Sequence, residues 1–228
     1  MILEDIYLYV LVRGFFMKTR LEVITSLLGN DYKEIWDTCC DHGKLGISIL
    51  QNTQIPKVHF VDCVPEIIDR LRVKLDRMSL IESKRLELHC KMAEDIKVSD
   101  KRSLICICGV GGVTAIDIIT GLLKNNQLNK HDLLLSVQYK TPRLRRFLNI
   151  NGFKVIKEVL CFEGKWGHEI IKISKNRGDE IDLIGSNMFI KSNELHKKYI
   201  LKSITHYTKK CVVNSDYLEI LKRYKKLL

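Results

Sequence analysis

The 228-residue sequence contains only three prolines, and it has no low-complexity tract and no internal repeat. These absences argue against a disordered chain, because disordered segments are poor in apolar residues and often rich in proline. A hydrophobic fraction of 46% and a charged fraction of 29% are ordinary for a globular protein with a sizeable core. We therefore predict one large domain, or one domain with a modest appendage.

A cysteine pattern for binding a metal is also missing, although the sequence contains eight cysteines. None of them are paired at the C-x2-C spacing of a zinc site, and the neighbours Cys39 and Cys40 would point apart on an extended strand. Cys106 and Cys108 lie in the apolar run LICICGV, where small buried thiols pack well. We predict no metal and reduced cysteines, as in a cytoplasmic protein.

The first sixteen residues, MILEDIYLYVLVRGFF, lack both a basic start and a small-residue cleavage site. Charged side chains interrupt this apolar stretch, and it is too short to span a bilayer. Met17 opens a more ordinary protein start. We interpret residues 1–16 as an N-terminal extension or as the product of a mistaken start codon, and we expect no membrane partner.

Positive charge is abundant and unevenly distributed. The formal net charge is +11, and residues 191–228 hold ten basic side chains against three acidic ones. Lysines and arginines that neutralise phosphates release counterions, so a nucleic acid is the favoured partner. A solvated helix face is the alternative interpretation of such a charge run.

Strand and helix patterns alternate along the chain. The predicted strands are YKEIWDTCC, PKVHFVDC, RLELHC, SLICICGV and DLLLSVQ, and helical patterns follow them. This alternation predicts a parallel sheet covered by helices on both faces. The segment 153–174 predicts a closing antiparallel hairpin, a pattern common in Rossmann-like methyltransferases. We predict an α/β fold with a Rossmann-like domain at residues 17–184 and a small basic helical appendage at residues 185–228.

Three loops follow strand ends, where ligands of open α/β sheets bind. They are Asp37 to Gly43, Asp62 with Cys63, and Gly109 to Gly112. A glycine-rich first turn would cradle the pyrophosphate of NAD, but here Asp41 would point a carboxylate at those phosphates. The sulfonium and ammonium groups of S-adenosylmethionine are cationic. Acids in this turn therefore favour that methyl donor, with Asp62 accepting the ribose hydroxyls.

These residues, in this order, resemble the bacterial tRNA (adenine-22-N1)-methyltransferase family. The matching stretches are TRLEVITSLL, DTCCDHG, GVGG, LLLSVQ, LRRFLNINGF and EVLCFEGKWGHEIIKI, and the likeness runs from about Lys18 to the C-terminus. The resemblance implies S-adenosylmethionine-dependent methylation of N1 of an adenine in tRNA. It also implies a donor domain joined to a helical tRNA-binding appendage.

The resemblance implies roles for individual residues as well. Donor contacts are implied for Asp37, Asp41, His42, Gly43, Asp62, Cys63, Met92, Ala93 and Gly109. Gly111 and Gly112 would shape the place where the target base meets the methyl group. The candidate phosphate contacts are Arg143, Arg145, Arg146, Lys197, Lys198, Lys209 and Lys210.

The chemistry requires positioning more than proton transfer. Adenine N1 keeps a lone pair at neutral pH, so the base must be held in line with the sulfonium after it leaves any pairing or stacking. Attack places positive charge on the ring, and Asp41 is the candidate catalytic residue that would stabilise this charge.

The sequence also departs from the family pattern. Cys39 replaces a glycine of the donor turn, Met92 stands where many relatives carry an acid, and SVQYKTP lacks a proline-asparagine pair. These differences indicate a divergent member. Two alternatives stay open: a methyltransferase acting on another RNA or a small molecule, and a catalytically silent RNA-binding protein.

Overall fold

The computed structural model describes residues 19–228, so the extension predicted at residues 1–16 lies outside the described part. In chain order the elements are α1 (Arg20–Ser26), β1 (Glu34–Thr38), α2 (Lys44–Asn52), β2 (Lys57–Asp62), α3 (Pro65–Arg77), β3 (Leu86–Cys90), β4 (Ser103–Cys108), α4 (Gly112–Asn125), β5 (Asp132–Ser136), α5 (Thr141–Ile150), β6 (Lys154–Glu163), β7 (Trp166–Ser174), α6 (Glu194–Val213) and α7 (Leu218–Lys225).

The strands form one sheet in the order β3-β2-β1-β4-β5-β7-β6. β1 to β5 are parallel, whereas β7 pairs antiparallel with both β5 and β6. The order reverses between β1 and β4, which places the topological switch point of the sheet there. The predicted parallel sheet with a closing hairpin is confirmed.

Helices cover both faces because the buried strands alternate their side chains between two apolar clusters. On one face Ile35 packs with α1, α2 and α3, and on the other Trp36 packs with α4 and α5. Local signals set the helix ends. Thr19 and Glu22 form a capping box at α1, and Pro65 opens α3 in the first helical turn, where its missing N–H costs nothing.

The C-terminal helices α6 and α7 form the predicted pair, with an apolar cluster of their own around Ile200, Ile220 and Tyr224. The pair is tied to the sheet, because the Tyr199 hydroxyl donates to Glu169 of β7 at 3.0 Å. The domain boundary at residue 184 stays a prediction. Within residues 19–228, none of the helices combines the length and apolar character needed to cross a membrane.

Candidate active site

The turn after β1 is built around Asp37. Its carboxylate is buried and accepts the backbone N–H of Gly46 at 2.9 Å, which ties the end of the strand to the first turn of α2. Cys39, Asp41 and Gly43 all have positive φ angles, of 53°, 46° and 65°. The turn therefore follows a path that suits glycine. Cys39 and Asp41 adopt it at a cost of about 1 kcal/mol or more each.

Asp62 lies at the neighbouring strand end and faces the same turn. One carboxylate oxygen accepts the N–H of Asp41 at 3.2 Å, and the other accepts the N–H of Val64 at 3.1 Å. A carboxylate has about four acceptor positions, so each oxygen keeps capacity for a further donor. Cys63, the next residue, is exposed at this rim.

The two acids share one electrostatic environment. Burial raises the pKa of Asp37 to about 7, the charge of Asp62 acts in the same direction, and the Gly46 N–H opposes both. A carboxyl group with this pKa is poised to become fully ionised when a cation binds beside it.

Asp41 and His42 lie on the outer side of the turn. Both side chains are exposed, 3.7 Å apart, and they line a small pocket against α3. Lys74 of α3 donates to the His42 carbonyl at 2.8 Å. This position is on the β2 side of β1, whereas Gly111 and Gly112 follow β4 on its other side.

The glycine turn after β4 packs against the chain itself. A Cβ at Gly111 would lie 2.5 Å from the ring of Tyr139, and one at Gly112 would lie 2.8 Å from the Tyr139 carbonyl. Gly112 also donates its N–H to that carbonyl at 3.0 Å. The close approach at these two glycines is thus made by the segment after β5. Gly109, with φ of 82°, faces open space.

Tyr139 is a residue that the sequence analysis missed. It follows β5, it is 56% exposed, and the two glycines hold it at the carboxyl edge of the sheet next to the switch point. An aromatic residue directly after a strand end was the available signal, but exposure cannot be read from one sequence.

Met92 and Ala93 differ in the exposure of their side chains. Met92 is exposed after β3, whereas the Ala93 side chain is buried in the apolar cluster under α4. Only the backbone of Ala93 is therefore available to a ligand at this edge.

The three arginines of α5 also differ. Arg143 is exposed, and Arg146 is half-exposed and lies 3.4 Å from Glu219. Arg145 is 0% exposed and forms ion pairs with Glu158 at 2.7 Å and Glu169 at 2.9 Å. The prediction that Arg145 contacts phosphates is wrong, because the guanidinium is enclosed by protein.

The lysines predicted to bind phosphate lie on α6. Lys197 forms an ion pair with Glu194 at 2.7 Å. Lys198, Lys209 and Lys210 are exposed, and none of them lies within ion-pair distance of a carboxylate of residues 19–228.

One group of side chains in residues 19–228 has the spacing of metal ligands, namely His59, Glu87 and His89. The two histidines already hydrogen-bond each other at 2.9 Å, and Lys57 lies 3.0 Å from the Glu87 carboxylate. These contacts account for the group, because an ammonium at the carboxylate competes with a metal cation. Near the first turn, burial raises the pKa of Cys39 to about 11, which keeps this thiol protonated.

The seven-stranded sheet, its antiparallel hairpin and the acids at the ends of β1 and β2 define a Rossmann-like methyltransferase fold. A family model described as a methyltransferase domain matches residues 17–171, and the chain belongs to this family. Comparison of the sequence with curated proteins gives no match.

Solved structures extend the likeness to nearly the whole chain. M. capricolum TrmK in complex with S-adenosyl-homocysteine is 21% identical, with a TM-score of 0.73 over 93% of this chain and 96% of that one. The B. subtilis M1A22 tRNA methyltransferase TrmK is 14% identical, with a TM-score of 0.71 over 93% and 99%. N-methyltransferase NodS from Bradyrhizobium japonicum is 11% identical, with a TM-score of 0.52 over 69% and 95%.

Proposed function

We propose that this protein is an S-adenosylmethionine-dependent methyltransferase that modifies N1 of an adenine in tRNA, position 22 by its family resemblance. The observation that carries the proposal is the extent of the structural match. The two TrmK structures match 93% of the chain, whereas NodS matches 69%. A match that long includes the basic helix pair, which a methyltransferase for a small substrate does not need.

The residues at the sheet edge fit a cationic methyl donor. S-adenosylmethionine supplies a methyl group on a sulfonium and also carries an ammonium group. Asp37 and Asp62 place two buried carboxylates at the turn, and the raised pKa of Asp37 reflects burial that a cation would compensate. Asp62 holds the turn through its bonds to Asp41 and Val64 and keeps acceptor capacity for ribose hydroxyls.

The acceptor side requires a nucleobase to be held flat and kept from water. Tyr139 offers an exposed ring at the switch point, and aromatic side chains stack readily on unpaired bases. Because Asp41 lies on the β2 side, we assign it to the donor side of the site. Methyl transfer then depends on positioning of the base, without a carboxylate at the developing charge.

The proposal is tested by incubating the purified protein with S-adenosylmethionine and unmodified tRNA transcripts, then mapping the product. We expect one N1-methylated adenine, detected by mass spectrometry and by a block to reverse transcription. Methylation of a different atom or nucleotide would correct the target. Transfer only to small molecules, or no transfer despite tRNA binding, would favour one of the two alternatives.

Replacement of Asp62 by alanine is expected to weaken S-adenosylmethionine binding by about 1–3 kcal/mol, because donor hydroxyls would lose a buried acceptor. Calorimetry measures this change, and NAD should give no binding to the wild-type protein. Asp69→Ala, on the exposed side of α3, is the matched control. Since Asp62 also holds the turn, thermal unfolding of both variants must be compared. Wild-type affinity in Asp62→Ala would contradict the assignment.

Donor affinity should also depend on pH through Asp37. A bound cation favours the ionised carboxylate, so binding below a pKa of about 7 requires loss of a proton, and affinity rises with pH. Between pH 6 and pH 7.5 we expect a rise of about eightfold, with proton release detected in buffers of different ionisation enthalpy. Asp37→Asn should bind more weakly and lose the dependence. The same slope in this variant would show that another group titrates.

A further inference from the structure

The hairpin of β6 and β7 extends past the end of the parallel strands. β7 pairs with β5 up to Ile171 opposite Leu135, and then continues with β6 alone to Trp166 opposite Glu163. Because β7 runs antiparallel to β5, its first residues project beyond the carboxyl end of β5. Four residues past the level of Ser136 correspond to roughly 13 Å. The hairpin tip therefore stands on the same edge of the sheet as Asp37, Asp62 and Tyr139.

An aromatic ring with two ammonium groups lies at this tip. Trp166 is 55% exposed, and the Nζ atoms of Lys202 and Lys165 lie 4.3 Å and 5.5 Å from its ring centroid. We call this group the Trp166 platform. The acidic residue at the tip, Glu163, accepts a hydrogen bond from the backbone N–H of Arg20 at 3.2 Å. Its carboxylate also lies 3.5 Å from the imidazole of His168. The platform consequently keeps a net positive charge.

The platform joins the sheet domain to the basic helix pair. A Cβ at Gly167 would lie 2.6 Å from the ring of Tyr199, so glycine at this position lets α6 lie close against the hairpin. Lys202 follows Tyr199 by one helical turn and so reaches the Trp166 ring. The base of this arrangement is fixed by the Tyr199 bond to Glu169, while the indole stays open to solvent.

We propose that Trp166 stacks on an unpaired nucleobase of the RNA substrate, flanked by phosphate contacts from Lys165 and Lys202. This inference rests on the proposed tRNA substrate and adds a second contact outside the methyl-transfer site. Every nucleobase has a flat aromatic face, and such stacking tolerates any sequence. An arriving base replaces the ammonium on the ring face, and the displaced ammonium is then free to pair with a backbone phosphate. The platform thus binds the RNA strand next to the target nucleotide and fixes the direction in which the RNA crosses the sheet edge.

The test compares Trp166→Leu and Trp166→Phe with wild type for binding of unmodified tRNA. Loss of one stacked base should weaken binding about 5- to 150-fold in the leucine variant, with much of the affinity kept by phenylalanine. The salt slope should stay unchanged in both, since no charge is removed. Lys202→Gln should flatten it by about one phosphate contact. Ile150→Ala, an exposed apolar residue at the end of α5, is the control.

Fluorescence gives an independent readout because the protein has two tryptophans and Trp36 is buried. Stacking should quench the emission of Trp166 on tRNA binding, and the quenching should disappear in Trp166→Phe. Normal tRNA binding and methylation by Trp166→Leu, together with unquenched wild-type emission, would overturn the platform and leave the proposed function intact. A wild-type protein that binds the methyl donor but no tRNA would overturn both.

Discussion

Replacing Arg145 with methionine is expected to lower the free energy of unfolding by about 3–5 kcal/mol, the range for breaking a buried ion pair from one side. The guanidinium is fully buried, and it donates to Glu158 at 2.7 Å, to Glu169 at 2.9 Å and to the Asp182 carbonyl at 3.2 Å. Methionine fills much of the volume but leaves two carboxylates without their cation. Urea denaturation followed by circular dichroism measures the loss.

The size of this loss should depend on pH. Burial raises the pKa of Glu169, and Arg145 is the main group that opposes the shift. Without Arg145 the folded state holds a proton on Glu169 to a higher pH, so the variant gains stability as the pH falls toward the unfolded value. The destabilisation should accordingly be smaller at pH 5 than at pH 8.

Arg146→Met is the matched control, because Arg146 is half-exposed and, among residues 19–228, forms its ion pair with the exposed Glu219 at 3.4 Å. Surface pairs of this kind contribute about 0–1 kcal/mol. Equal stability of the two variants would mean that Arg145 does not hold α5, the hairpin and the appendage together.

Arg145 also marks how far the sequence could predict this molecule. The helix that contains Arg145 and the strands of the sheet were predictable, because buried strands form apolar runs and helices form apolar stripes with a period of 3.6 residues. The stripe of α5 passes through Leu144, Arg145 and Leu148, which are all buried. This spacing was a signal that Arg145 faces inward. The three arginines of the segment TPRLRR instead favoured one shared role in RNA binding. A carboxylate partner on a strand elsewhere in the fold cannot be recognised from the sequence of the helix alone.

The candidate site was predictable to a similar degree. The carboxyl ends of parallel strands lie at one edge of the sheet, so Asp37 and Asp62 were expected to lie close together there. They do, because β1 and β2 are parallel neighbours in the sheet. Side-chain direction was not predictable. The positive φ angles at Cys39 and Asp41 turn the loop so that Asp41 lies against α3, and the Gly111–Gly112 turn contacts Tyr139. Both outcomes depend on contacts between loops that lie far apart in sequence.

Removal of positive charge from the basic helix pair is the change with the other large expected effect. Its test must leave the packing of α6 and α7 against the rest of the protein intact. Deleting the tail would expose Glu169 and the apolar residues Leu183 and Ile184, which pack under α6 and α7. Changing side chains that project into solvent avoids this damage. The triple variant Lys198→Gln, Lys209→Gln and Lys210→Gln removes three exposed positive charges from α6 and leaves its buried face unchanged.

We expect this triple variant to bind tRNA roughly 100-fold more weakly near physiological salt, because each lost duplex phosphate contact lowers the logarithmic salt slope by about 0.9. The control variant Lys33→Gln, Lys84→Gln and Lys130→Gln removes the same charge from residues just before β1, β3 and β5. These strand starts lie at the opposite edge of the sheet, so the control should keep the wild-type slope. Donor affinity should stay unchanged in both variants. If the two triple variants lose affinity equally, the charge of α6 acts only as part of the net charge, and the RNA must be held elsewhere.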